Sequence, residues 1–156
     1  MSFPNAMRTQ AGVRVNVDFW IFVDTGCRLS GMTTPNVILC GSRTWTDRGT
    51  MVAALEKYLP YGCRVFHGDA EGADRMAAEI AGEIAFGGVV ARPALWDVHG
   101  KAAGPIRNQA MLDEAQPCMV VAFWDGKSRG TKDMLDRAMK AGVPQVIVVR
   151  PRKEQG

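Results

Sequence analysis

"NVILCGSRTWTD", residues 36–47, joins an unbroken apolar run to a polar turn. Val37, Ile38, Leu39 and Cys40 are consecutive, and Gly41 stops the run. Strand side chains alternate between two faces, so a run without alternation describes a strand covered on both sides. Asp47 then caps a helix with Met51, Val52, Leu55 and Tyr58 on one side, ended by Pro60.

The same unit recurs along the chain. "CRVFHG" (63–68) is a second strand, followed by a helix from Asp74 to about Phe86 with Met76, Ala77, Ile80 and Ile84 on its apolar face. "VVARPA" (89–94) is the third strand, and Gly104-Pro105 opens a third helix, with proline suited to its first position. "CMVVAFW" (118–124) is the fourth strand. Thr131 caps a fourth helix that turns Met134, Leu135, Ala138 and Met139 inward, and "PQVIVVR" (144–150) is the fifth strand. Continuous apolar strands alternating with amphipathic helices predict a Rossmann-like, doubly wound α/β fold. It has a mainly parallel sheet of about five strands with helices on both faces. Ligands of such folds bind outside the carboxyl ends of the strands, which directs attention to the loops at 41–46, 68–73, 94–104 and 125–130 and to the tail after Arg150.

The 156 residues suit one domain, read here as 36–150, with an N-terminal extension at 1–35 and a tail at 151–156. Val13, Val15, Val17, Phe19, Ile21 and Val23 alternate, which fits an extra edge strand or an arm onto another subunit. The alternative that Met32 is the natural start stands equally open. Hydrophobic residues at 47% and charged residues at 22% are an ordinary globular balance, and a net charge of +3 does not by itself argue for nucleic acid. Cys27, Cys40, Cys63 and Cys118 form no CxxC pair, so all four are expected reduced in a cytoplasmic protein. The run from Phe19 to Val23 is far too short to span a bilayer.

Phosphate chemistry has a candidate place. "DGKS" (125–128) resembles the end of a P-loop, but Val121 stands where that motif requires glycine, and no GxGxxG follows the first strand. Yet Arg107 falls in the first turn of the third helix, and Lys127, Arg129 and Lys132 surround the start of the fourth. Cations are disfavoured at the positive end of a helix dipole unless an anion sits among them. Ser128, Gly130 and Thr131 add hydroxyls and exposed N–H groups. The competing reading is a solvated basic turn. In "HGDAEGAD" (67–74), Gly68 and Gly72 allow close approach, and Asp69 stands where a carboxylate can accept ribose hydroxyls. Asp74 either caps its helix or joins the site, and His67 either bonds a base or is structural. Asp69 and Asp74 are also the weak candidates for catalysis. Arg43 suits phosphate, while Trp45 and Trp96 either stack on a base or cover the sheet. No cofactor or metal site is evident, although a Mg²⁺ could accompany a phosphate ligand at Asp69.

"GSRTWTD", "HGDAEGADRMA", "RPALWDVHGKAAGPIRNQAML", "AFWDGKSRGT" and "AGVPQVIV" together resemble the YspA-type members of the SLOG superfamily, from about residue 36 to 149. That superfamily is Rossmann-like and includes the LOG enzymes and the DNA-uptake protein DprA. The resemblance implies a nucleotide or nucleotide-derived ligand, held by Gly41, Ser42, Arg43, His67, Gly68, Gly72, Asp74, Arg107, Asn108, Ser128, Gly130 and Thr131. LOG enzymes cleave the N-glycosidic bond of nucleoside monophosphates with the glutamate of PGGxGTxxE. Here "GKSRGTKDM" keeps Gly130-Thr131 but carries Met134 at the glutamate position. Asp133 is one residue early, about 100° round a helix. A binding or sensing module is therefore expected first, a LOG-type phosphoribohydrolase second, and a DprA-like single-strand binder third, since few aromatics and little net charge disfavour nucleic acid. SLOG relatives are often dimers, which makes a homodimer the expected assembly.

Overall fold

The computed structural model describes residues 19–22, 34–84 and 87–152. In chain order the elements are β1 (Phe19–Phe22), β2 (Asn36–Gly41), α1 (Arg48–Tyr58), β3 (Arg64–His67), α2 (Ala73–Ile84) and β4 (Val89–Ala91). There follow α3 (Trp96–His99), a turn of 3-10 helix (Gly100–Ala102), α4 (Ala103–Ala115), β5 (Met119–Phe123), α5 (Arg129–Lys140) and β6 (Gln145–Val149).

The sheet order is β1-β6-β5-β2-β3-β4. β2 to β6 are parallel, and β1 alone runs antiparallel, on the outer edge of β6. Successive residues of one strand feed opposite faces. Val37 and Leu39 meet Met51 and Leu55 of α1 and Ala77 and Ile80 of α2. Ile38 and Cys40 meet Met111 and Leu112 of α4 and Met134 and Leu135 of α5. This two-sided burial is why the strands read as continuous apolar runs. The α/β doubly wound fold expected from the sequence is the fold observed.

Local expectations fare unevenly. Asp47 caps α1 as expected, its Oδ1 accepting the Thr50 N–H at 3.1 Å. Ser128, rather than Thr131, caps α5: its Oγ accepts the Thr131 N–H, so the helix begins at Arg129, three residues earlier than a Thr131 cap implies. Asp74 lies inside the first turn of α2 and does not precede it. α4 starts at Ala103, so Pro105 is its third residue and Arg107 falls in its second turn. α3 and the 3-10 turn occupy what reads as a loop. Met139, expected inward, is 46% exposed, because α5 buries only the stripe Thr131, Met134, Leu135 and Ala138.

Phe19–Phe22 pair with β6 of the same chain. The rest of the alternating stretch from Val13 lies outside the described residues. Cys40 and Cys63 are free, but Cys118 is disulfide-bonded, which overturns the expectation of four reduced thiols; its partner is outside the described residues. No helix among the described residues is long and apolar enough to cross a membrane.

Candidate functional site

The chain leaves β2 toward β3 and β4 on one side, then crosses back to β5 and β6 on the other. The loops after β2 and β5 therefore diverge at the point where the winding reverses, which is where open α/β sheets form their ligand crevice. A cleft of about 900 Å³ opens there, within the roughly 300–1,000 Å³ typical of small-molecule sites. Of the sequence candidates, Gly41, Arg43, Gly68, Asp69, Asp74, Arg107, Asn108, Ser128, Gly130 and Thr131 line it.

Ser42, His67 and Gly72 do not line the cleft but stand behind its walls. Ser42 is buried; its Oγ accepts the Asp125 N–H at 3.0 Å, and its carbonyl accepts the Trp45 and Ala73 N–H groups. His67 Nδ1 accepts the Asp69 N–H at 3.1 Å, which leaves the ring proton on Nε2. Burial, helped by Arg107 and opposed by Asp69, holds the His67 pKa below its usual value and so favours that neutral ring. Gly72 has φ +78° and presses on the Arg43 backbone, so a side chain there would be both strained and obstructed.

The floor is built around the Gly68 peptide. Asp74 Oδ2 accepts its N–H at 3.0 Å, and Arg107 Nη1 donates to its carbonyl at 2.7 Å. A side chain at position 68 would strike both the guanidinium and the carboxylate. Burial pushes the Asp74 carboxyl up to about 6, against the pull of Arg107 and the N–H groups of Ala70, Gly68 and Gly41. Asp69 takes a left-handed backbone at φ 53°, tolerable for aspartate, and its carboxylate meets Arg75 Nε at 3.3 Å.

A polar chain continues to α5. Arg107 Nε donates to Asn108 Oδ1 at 3.0 Å, and Asn108 Nδ2 donates to the Gly130 carbonyl and to Asp133 Oδ2 at 3.0 Å. Arg137 holds the same Asp133 oxygen at 2.8 Å. Met134 is fully buried in the core, whereas Asp133 lines the cleft. The carboxylate that sequence reasoning set about 100° off the site is thus the residue of that pair facing it.

Asp125 is a further residue the sequence reading missed. Its Oδ1 accepts the N–H groups of Lys127 at 2.8 Å and Ser128 at 2.9 Å, and its Oδ2 accepts Thr44 Oγ1 at 3.2 Å. Burial opposes the charged form, but those donors and the Ser42 contact outweigh it and hold the carboxyl below its usual range. A carboxylate directly after a strand and before Gly126, with φ +87°, is the available signal for such a turn. Trp45 is a core residue, its ring edge-on to Phe123 at 5.4 Å. Trp96 stands at the cleft, half-exposed.

The carboxylates around the cleft are largely committed to the protein itself. Asp69 has Arg75, Asp74 has the Gly68 N–H, Asp125 has its turn, and Asp133 has Asn108 and Arg137. Arg43, Lys101, Lys127 and Arg129 also line the cleft, and none has a carboxylate partner among the described residues. Electrostatically the lining is anion-seeking, although its composition is mixed. No group of three or more His, Cys, Asp or Glu side chains among the described residues is placed to hold a metal.

Over 117 aligned residues the chain is 40% identical to the gene 61 protein of Mycobacterium phage D29, covering 70% of this chain and 93% of that protein. No family model and no solved structure matches the chain.

Proposed function

The chain belongs to the family of the gene 61 protein of Mycobacterium phage D29, and we propose that this protein binds a nucleotide or nucleotide-derived ligand, as a sensor or binding module. The phosphate lies at the start of α5. The observation that carries this reading is the imbalance of the lining: every lining carboxylate except Glu71 has a partner within the protein, while Lys127 and Arg129, beside the start of α5, have no carboxylate partner among the described residues. A helix N-terminus capped by Ser128 and flanked by unpaired cations suits phosphate oxygens. The reading agrees with a YspA-like membership of the SLOG superfamily, which we propose on the sequence motifs. A cytoplasmic homodimer belongs to the same proposal; a monomer mass by light scattering at micromolar concentration removes the dimer.

The test is a thermal-shift panel of AMP, ADP, ATP, GMP, cyclic nucleotides, NAD and ADP-ribose against wild type and Arg129→Ala. Arg129 is preferred to Arg107 because Arg107 also braces Gly68. A ligand at about a hundred times its dissociation constant stabilises by about 2.7 kcal/mol. A shift in wild type that shrinks in the variant supports the site; no shift with any compound removes the small-nucleotide reading.

A second reading, hydrolysis by a LOG-type phosphoribohydrolase, is favoured by one observation: Asp133 and the buried Asp74 both face the cleft. Glycosidic cleavage uses one carboxyl as acid and another to support the oxocarbenium centre or its water. Release of free base from a nucleoside monophosphate, lost in Asp133→Asn, would establish it; intact nucleotide after long incubation would dismiss it.

A further inference from the structure

Two residues at the cleft have no evident task in anchoring a phosphate or holding the loops. The Arg43 guanidinium lies 5.8 Å from the centroid of the Trp96 ring, within the ~6 Å reach of a cation–π contact. Arg43 comes from the turn between β2 and α1, and Trp96 opens α3, so the pair joins two separate walls.

Trp96 is unlike the other tryptophans whose side chains are described. Trp45 Nε1 donates to the Asp47 carbonyl and Trp124 Nε1 to the Ser128 carbonyl, each at 3.0 Å. The Trp96 indole N–H has no acceptor among the described residues, and the residue is 49% exposed, against 4% for Trp45. Nor does it fill a core: α3 and the 3-10 turn bury no residue. An amphipathic ring held at a cleft without burial and without an acceptor is available to a ligand.

We propose that Trp96 and Arg43 form a stacking clamp for a nucleobase, so that the ligand is a nucleotide with its base attached and not a sugar phosphate or a bare phosphate. This rests on the nucleotide reading above. A ring stacks at about 3.5 Å from each neighbour, so the present gap of 5.8 Å does not admit one. Arg43 therefore swings outward as the base takes the indole face. It leaves no carboxylate behind, and its planar guanidinium then covers the base's other face. Every base offers a π-face, so the clamp selects for a base without choosing among bases.

The test is calorimetric binding of AMP, GMP, CMP, UMP and ribose 5-phosphate to the full chain, as wild type, Trp96→Ala and Trp96→Phe. Wild type is expected to prefer the mononucleotides to ribose 5-phosphate. Trp96→Ala should weaken mononucleotides by about 5- to 150-fold and leave ribose 5-phosphate unchanged, and Trp96→Phe should restore most of the loss. If Trp96→Ala weakens all probes equally, or none, the clamp is wrong while the phosphate site stands. Wild type holding ribose 5-phosphate as tightly as the mononucleotides overturns the clamp in the same way. No binding of any probe by wild type overturns the phosphate site and the clamp together.

Discussion

Asp74 follows β3 and Asp125 follows β5, the two strands that flank β2, and each folds the loop beside it, yet their chemistry diverges. Asp74 is buried on the cleft floor, and its carboxyl is pushed up to about 6. Asp125 is half-buried, and its carboxyl is held below the usual range despite the burial it has. Both accept backbone N–H groups, so hydrogen bonding alone does not separate them. The difference is water. Around Asp74 the low-dielectric floor outweighs even a guanidinium and three N–H groups; around Asp125 desolvation is still the largest single influence, but the four donors together outweigh it. One loop is thus rigid and shielded. The other is tied at its root and presents free cations to solvent.

The largest expected effect breaks the shielded side. Asp74→Ala leaves the Gly68 N–H without its acceptor and Arg107 without its nearby opposite charge. Removing one member of such a buried arrangement costs about 3–5 kcal/mol, read by urea denaturation at neutral pH. A loss of no more than a few tenths would mean that the Gly68 peptide does not depend on this carboxylate.

Next comes a pH dependence. Asp74 has a folded-state pKa of about 6, against the 3.8 of an unperturbed aspartate. Between those values the folded chain binds more protons than the unfolded one, so Asp74 makes stability fall as pH rises. Asp74→Asn accepts the same N–H group and does not titrate. Relative to that variant, wild type should lose about 3 kcal/mol between about pH 3 and pH 7. Asp47, Asp125 and His67, whose carboxyls and ring also shift, are common to both chains and cancel. Parallel stability curves would show that Asp74 is not the shifted group.

What the sequence disclosed follows the same division between local and tertiary causes. The parallel strands were legible because burial on both faces writes itself as an apolar run, as in Val37 to Cys40. α3 was not legible: its four residues bury nothing and carry no period. The cleft loops were legible from the winding rule. Their division of labour was not, because Asp69 and Asp74 suggest ligand groups until Arg75 and the Gly68 peptide are seen beside them. The partner that fixes the Gly68 carbonyl, Arg107, lies 39 residues away in sequence. At the start of α5 two hydroxyls compete for the cap, and only the backbone decides for Ser128. The angular argument about Asp133 was sound, but it was referred to Met134, which faces the core.

The smallest of these effects tests the solvated side. Asp125→Ala removes acceptors for the Lys127 and Ser128 N–H groups and for the Thr44 hydroxyl. Water reaches this loop and can replace part of what is lost, so the stability cost should be about 1 kcal/mol, below that at Asp74. The consequence for binding should be larger than that figure suggests. Without the carboxylate the turn no longer fixes the approach to Ser128, and Lys127 and Arg129 lose their common base. A phosphate-bearing probe that stabilises wild type should then stabilise this variant less, even where the two melt within a few degrees of each other. If ligand stabilisation survives intact, the cations act as independent point charges, and the ordering of the turn is incidental to the site. If it falls while fold stability holds, the two carboxylates divide the work: Asp74 maintains the cleft, and Asp125 aims what the cleft offers to an anion.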